Sequence, residues 1–174
     1  SDELPEVPMA LLQGTTNNLL LTGDEGITGI MVDDPSSFLN LVNSTYYDSA
    51  DNIIPDTSGG DELQFIRNID NAAFQYSDYI QNVSDSGINT MEYANNSLSI
   101  QLSTVAKLIS GGMYSPFYAV YQGGYDTHAD QVNRHSLLMS DLSLALHNFY
   151  NDLENQGLAD KVIVMTTSEF GRRP

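Results

Sequence analysis

The sequence predicts an α/β protein built on a parallel sheet, and three observations in its last third predict it. Phe117–Tyr121 is a short aromatic and apolar run bounded by Pro116 and Gly123-Gly124, the pattern of a buried strand. From about Arg134 to Gln156, residues Leu138, Leu142, Ala145/Leu146, Phe149 and Leu153 form one apolar stripe at helical spacing, and Gly157 ends it. Lys161–Thr167 is a β-branched run of the kind that fills a central parallel strand. Strand, helix and strand at this spacing read as a right-handed βαβ unit over residues 117–167.

The earlier elements follow in order. Val7–Leu12, Leu19–Leu21 and Ile27–Val32 are apolar runs separated by Gly14, Gly23, Asp24 and Gly26, which predicts strands or a hairpin. Asp34-Pro35 reads as a helix N-cap followed by proline at the first helical position, with Phe38, Leu41 and Val42 as the apolar face. Asp48 to Gly60 has loop composition. From Asp61, Leu63, Ile66, Ala73, Tyr76 and Ile80 recur at helical spacing until Ser84–Asn89 breaks the pattern. A second helix runs through Leu98, Leu102, Val105, Ala106 and Ile109 and stops at Gly111-Gly112. The chain of 174 residues is thus read as one domain: short strands and loops over 1–60, helices over 61–112, and the βαβ unit over 113–174. Two parallel strands do not stand alone, and Pro174 follows directly on a strand that reads as central, so the domain is expected to be incomplete.

Charge narrows the partners. The net charge is −17, and it is uneven: residues 1–106 hold sixteen acids against Arg67 alone, residues 107–174 seven acids against five bases. Such a surface repels nucleic-acid phosphates and anionic lipid, so no nucleic acid is expected as a partner. An anionic substrate can approach only the near-neutral second part. No run of residues is apolar enough for a membrane span. With no cysteine, disulfides, thiolate catalysis and cysteine-based zinc sites are excluded.

In an open parallel sheet, ligands bind beyond the carboxyl ends of the strands. The loop after the first strand of the unit holds Gly123-Gly124-Tyr125-Asp126-Thr127-His128, and the loop after the second holds Ser168-Glu169-Phe170-Gly171-Arg172-Arg173. Both are expected at one edge. Asp126, His128 and Glu169 are donors suited to Zn²⁺, Mn²⁺ or Mg²⁺, although Asp126 serves equally well as a turn or helix cap. His135, at the start of the helix, is either a ligand near the same edge or a buried, satisfied histidine. His147 lies on the polar face. Arg172 and Arg173 can clamp a phosphate or sulfate through bidentate bonds, or simply pair with surface acids. Thr127 and Ser168 are the hydroxyls near this edge, and neither lies in a nucleophile elbow, so no catalytic residue is assigned.

The run Gly123–Gln131, then His135, Leu137-Leu138, Ala145-Leu146, Phe149, Asp152-Leu153, Gly157 and Val162–Arg172, resembles an uncharacterised sulfatase-like family of exported bacterial proteins. That family often carries twin-arginine signals and stands near the alkaline-phosphatase superfamily. Leu4-Pro5-x-Val7-Pro8 and the helix around Ala106-x-Leu108-Ile109 are similar in style. The resemblance implies an α/β/α sandwich with a largely parallel sheet, of which this chain is a portion, and an exported protein. It also implies a metal pair acting on phosphate or sulfate esters, with Asp126 and His128 as one pair of ligands. Glu169-Phe170 stands where the superfamily has Asp-His. The nucleophile is expected upstream of Ser1 and further ligands downstream of Pro174, so the remainder of the domain is the expected partner. The competing expectations are a non-catalytic binding or structural protein that keeps the fold, and a surface-binding module that uses the ten tyrosines as contacts.

Overall fold

Successive residues of a strand point to opposite faces, and at Ala10 and Leu11 both are buried, the signature of a strand covered on both sides. In the computed structural model this strand, β1 (Ala10–Leu12), is the centre of a three-stranded sheet. The structure describes residues 8, 10–13, 22–23, 26–27, 29–32, 34–44, 56–57, 59–60, 63, 76–168 and 171. A small antiparallel pair, β2 (Thr22–Gly23) with β3 (Gly26–Ile27), follows β1. The sheet is completed by β4 (Gly29–Met31) and β5 (Phe117–Ala119), in the order β4-β1-β5, and both pairings are parallel. Leu11 stands opposite Ile30 on one side and Tyr118 on the other. Backbone and side-chain bonds close the β1–β5 seam at both ends: Ser115 Oγ donates to the Pro8 carbonyl (2.7 Å), and Gln13 N to that of Ala119 (2.8 Å). The expected strand over Leu19–Leu21 lies outside the described residues.

The fold is therefore α/β with an all-parallel sheet, but the expected βαβ unit over 117–167 is not formed. The neighbour of β5 is β1, more than a hundred residues upstream. Lys161 ends a 3₁₀ turn (Ala159–Lys161), and residues 162–168 carry no strand pairing. Ile163 and Met165 are 96% and 87% exposed. The physical reason is that β-branched composition reports fit to a covered, pleated surface, and here no described element covers this run. Only Val162 packs, against the helices.

The helices match their sequence signals more closely. In α1 (Pro35–Ser44), the Asp34 carboxylate accepts from Ser37 N (2.8 Å) and Pro35 takes the first position, as expected. Residues 76–86 are helical and bury Tyr76, Ile80 and Val83. In α2 (Ser97–Ser110), Asn96 is the N-cap, its side chain accepting from Ser99 N (2.9 Å). The longest helix, α3 (Gln131–Asn155), starts three residues before Arg134. Both α2 and α3 end in the same motif. Gly112 and Gly157 adopt positive φ (93° and 68°), and the next residue bonds back across six: Met113 N to Leu108 O (3.0 Å), Leu158 N to Leu153 O (2.8 Å).

Two cores result. Leu11, Ile30 and Val32 of the sheet region pack with Tyr76, Ile80 and Val83, and with Leu108 and Met113. Leu98, Leu102, Val105 and Ala106 of α2 pack with Ala145, Phe149 and Leu153 of α3. Tyr118 of β5 touches both; its hydroxyl donates to the Met113 carbonyl (2.7 Å), and burial pushes it up to about 12. The ends of helix 76–86 and α2 meet backbone to backbone. A Cβ at Gly87 would lie 1.9 Å from the Lys107 carbonyl oxygen, and one at Gly111 2.1 Å from that of Val83. Gly111 has ordinary helical φ, so space and not conformation demands glycine there. Among the described residues no helix is long and apolar enough to cross a membrane.

Candidate functional site

The chain leaves β5 at its carboxyl end and runs through residues 120–130 to the start of α3, which is where a parallel sheet presents ligand-binding loops. Its departure is anchored by a buried side chain. Gln101 of α2 accepts from Tyr121 N through Oε1 (2.8 Å) and donates Nε2 to Tyr121 O (2.9 Å). One carboxamide thus holds both backbone groups of one residue, as a neighbouring strand would. The same Nε2 reaches Ser97 Oγ at 3.0 Å.

Beyond Tyr121 the loop is tied to α3. Gln122 Nε2 donates to the Leu138 carbonyl (3.1 Å), and Tyr125 Oη donates to Gln122 Oε1 (2.8 Å). Burial raises the Tyr125 hydroxyl above its ordinary pKa. Gly124 has φ 92°, which lets the loop turn here without the steric cost of a Cβ in the left-handed region. Thr127 is buried, with its N–H on the Tyr125 carbonyl (3.0 Å).

The loop presents Asp126 and His128 together. His128 Nε2 stands 3.2 Å from Asp126 Oδ2, and both side chains are largely exposed. Asp126 does not cap the following helix: the N-cap is Asp130, at φ 53°, whose carboxylate instead accepts from Asn133 Nδ2 (2.6 Å). His135 is exposed and not a buried histidine. Its ring stands edge-on to Tyr125, with centroids 6.2 Å apart. His147 is solvated on the polar face, near Asn151 Nδ2 (3.0 Å). Glu169, Arg172 and Arg173 lie outside the described residues, and Ser168 is exposed. The carboxylate and imidazole fit Zn²⁺, Mn²⁺ or Mg²⁺ in chemistry. They supply two donors, and among the described residues no group of three His, Asp or Glu comes together.

Three residues received no role from the sequence. Gln101 and Asp152 each sit on an apolar helix stripe, Gln101 beside Leu98 and Leu102, and Asp152 beside Phe149 and Leu153. A polar residue within such a stripe is the signal that could have singled them out. Asp152, fully buried, accepts five hydrogen bonds: from Thr90 N (2.7 Å), Thr90 Oγ1 (2.8 Å), Asn89 Nδ2 (3.0 Å), Tyr93 Oη (2.9 Å) and Gln156 Nε2 (2.8 Å). Burial pushes its carboxyl upward, but the bonds from Thr90, Asn89 and Tyr93 outweigh that and hold it below the ordinary value. Tyr93, half-buried beside that carboxylate, is pushed well above the ordinary tyrosine range. The third residue is Gln13, which follows β1 at its carboxyl end, buried with both amide atoms unpartnered.

No curated protein and no solved structure matches the chain. A family model described as a protein of unknown function, DUF1501, matches residues 103–174, the stretch that holds β5, the Gly123–His128 loop, α3 and every candidate site residue.

Proposed function

We propose that the protein is a metal-dependent hydrolase of phosphate or sulfate esters, acting outside the cytoplasm. The observation that carries this reading is the pairing of Asp126 with His128 at 3.2 Å, exposed on a loop beyond the carboxyl end of a parallel strand. A carboxylate and an imidazole at that distance can share one divalent cation, and Glu169 is the third donor. Zn²⁺, Mn²⁺ or Mg²⁺ held there supplies Lewis-acid charge to an ester oxygen. Arg172, Arg173 and His135 bind the anionic group, a role suited to forked guanidinium donors and to an exposed imidazole. The near-neutral charge of residues 107–174, against the acidic remainder, leaves that approach open to an anion.

A second reading is favoured by one observation, the lack of a third His, Asp or Glu beside the pair among the described residues. Under it the fold serves as a non-catalytic binding protein. Metal analysis of the full-length protein, followed by ester-hydrolysis assays of Asp126→Ala, separates the two. The hydrolase reading expects about one equivalent of retained metal and at least a hundredfold loss of hydrolysis in the variant, the order expected when a metal ligand that stabilises developing charge is removed. Protein without stoichiometric metal, and hydrolysis indifferent to the substitution, would overturn it.

A further inference from the structure

Asp126 and His128 are exposed, so packing around their side chains does not set where they stand; their backbone does. Carboxamides hold that backbone at its entry and against α3. Gln101 grips Tyr121 N and O, Gln122 grips the Leu138 carbonyl of α3, and Tyr125 Oη closes back onto Gln122 Oε1. The Gln101 grip is the deepest of the three. Its side chain is buried, it springs from the α2 face packed on α3, and it reaches the last fixed residue before the loop begins.

From this we infer that Gln101 and Gln122 are positioning residues for the Asp126–His128 pair, setting its separation and its aim toward a divalent cation. The inference rests on the metal-site reading for its function and on the geometry alone for its mechanics. A neutral carboxamide is suited to the task. It satisfies a donor and an acceptor of one residue without adding charge beside a cation site, whereas a glutamate would keep the bond from Tyr121 N and lose the one to Tyr121 O. Removing outer partners of this kind typically weakens metal binding about ten- to a hundredfold while leaving the ligands in place.

The test uses the full-length protein and two variants of matched shape, Gln101→Met and Gln122→Met, the second at a half-buried position that the fold tolerates. Backbone order parameters of residues 121–128 are measured by NMR, and Mn²⁺ and Zn²⁺ affinities by calorimetry. The expected result is a drop in order confined to 121–128, with α2 and α3 unchanged, together with about tenfold weaker metal binding in each variant. Unaltered order in the loop, or unaltered affinity in a loosened loop, overturns the inference. A wild-type protein that binds neither metal, yet whose loop loosens in both variants, sinks the metal-site reading and leaves the two glutamines as anchors of the loop.

Discussion

The two halves of α3 have opposite surroundings on one continuous helix. From Ala145 onward it buries Ala145, Asn148, Phe149, Asp152 and Leu153 against α2 and the segment 88–93. Polar residues in this half act as grips: Asn148 Nδ2 donates to the Glu92 carbonyl (2.9 Å), Asn155 Nδ2 to Thr90 Oγ1 (3.2 Å), and Asp152 gathers its five donors. The first half, beside the Gly123–His128 loop, leaves Val132 and Leu137 81% and 67% exposed, and carries His135 in the open. The difference teaches where stability resides. A carboxylate in the gripped half is spent on structure, whereas Asp126, in the loop beside the open half, stays exposed.

Substituting one aspartate in the gripped half and one in the loop beside the open half breaks the comparison most directly. Asp152→Ala takes from Thr90, Asn89, Tyr93 and Gln156 an acceptor that is itself fully buried, and the expected loss is about 3 kcal/mol in urea unfolding. Asp126→Ala is expected to change stability by less than about 0.5 kcal/mol, as at most surface positions. Equal losses would dissolve the distinction. The acid response carries the same sign. Because the folded-state pKa of Asp152 lies below the ordinary carboxylate value, its contribution is present above that ordinary value and fades as pH falls through the folded one. The stability gap between wild type and Asp152→Asn should therefore be full near neutrality and shrink only in strong acid.

Much of the gripped half was legible, because it follows from period and punctuation. The Asp34-Pro35 cap, the ends of α2 and α3 at Gly112 and Gly157, and the stripe from Leu142 to Leu153 are local patterns with local causes. The partner of β5 was not legible, since parallel pairing joins residues far apart and leaves no mark in the spacing of either run. Lys161–Thr167 misled because composition reports what a strand can accept on its faces, not what arrives to cover them. At the candidate site, Asp126 and His128 were legible as adjacent donors. The grip of Gln101 on Tyr121 was not, because a lone glutamine in an apolar stripe does not name its partner.

A milder contrast concerns glycine. Gly87→Ala and Gly111→Ala drive a methyl group to within about 2 Å of a carbonyl oxygen on a facing helix end, where backbone must shift, and a cost of about 3 kcal/mol is expected for each. At Gly124 a Cβ would meet only Leu138 Cδ2 at 3.6 Å, an ordinary contact, so the cost there comes from φ 92° alone. About 1 to 2 kcal/mol is expected for Gly124→Ala. Thermal unfolding of the three variants orders these effects, and a Gly124 variant as damaged as the other two would show that the loop is packed as tightly as the helix crossing.

One effect has the opposite sign. Gln13 is buried to 3% exposure at the carboxyl end of β1, on the face it shares with Leu11, and neither amide atom has a partner. An unpaired buried amide costs on the order of 1 to 3 kcal/mol relative to a paired one, while an apolar side chain of similar shape pays no such penalty. Gln13→Leu is therefore expected to raise stability by about 1 kcal/mol, part of the gain being lost to the altered shape. Chemical denaturation measures it. A destabilised variant would mean instead that the amide is satisfied in solution by a buried water at the sheet's edge.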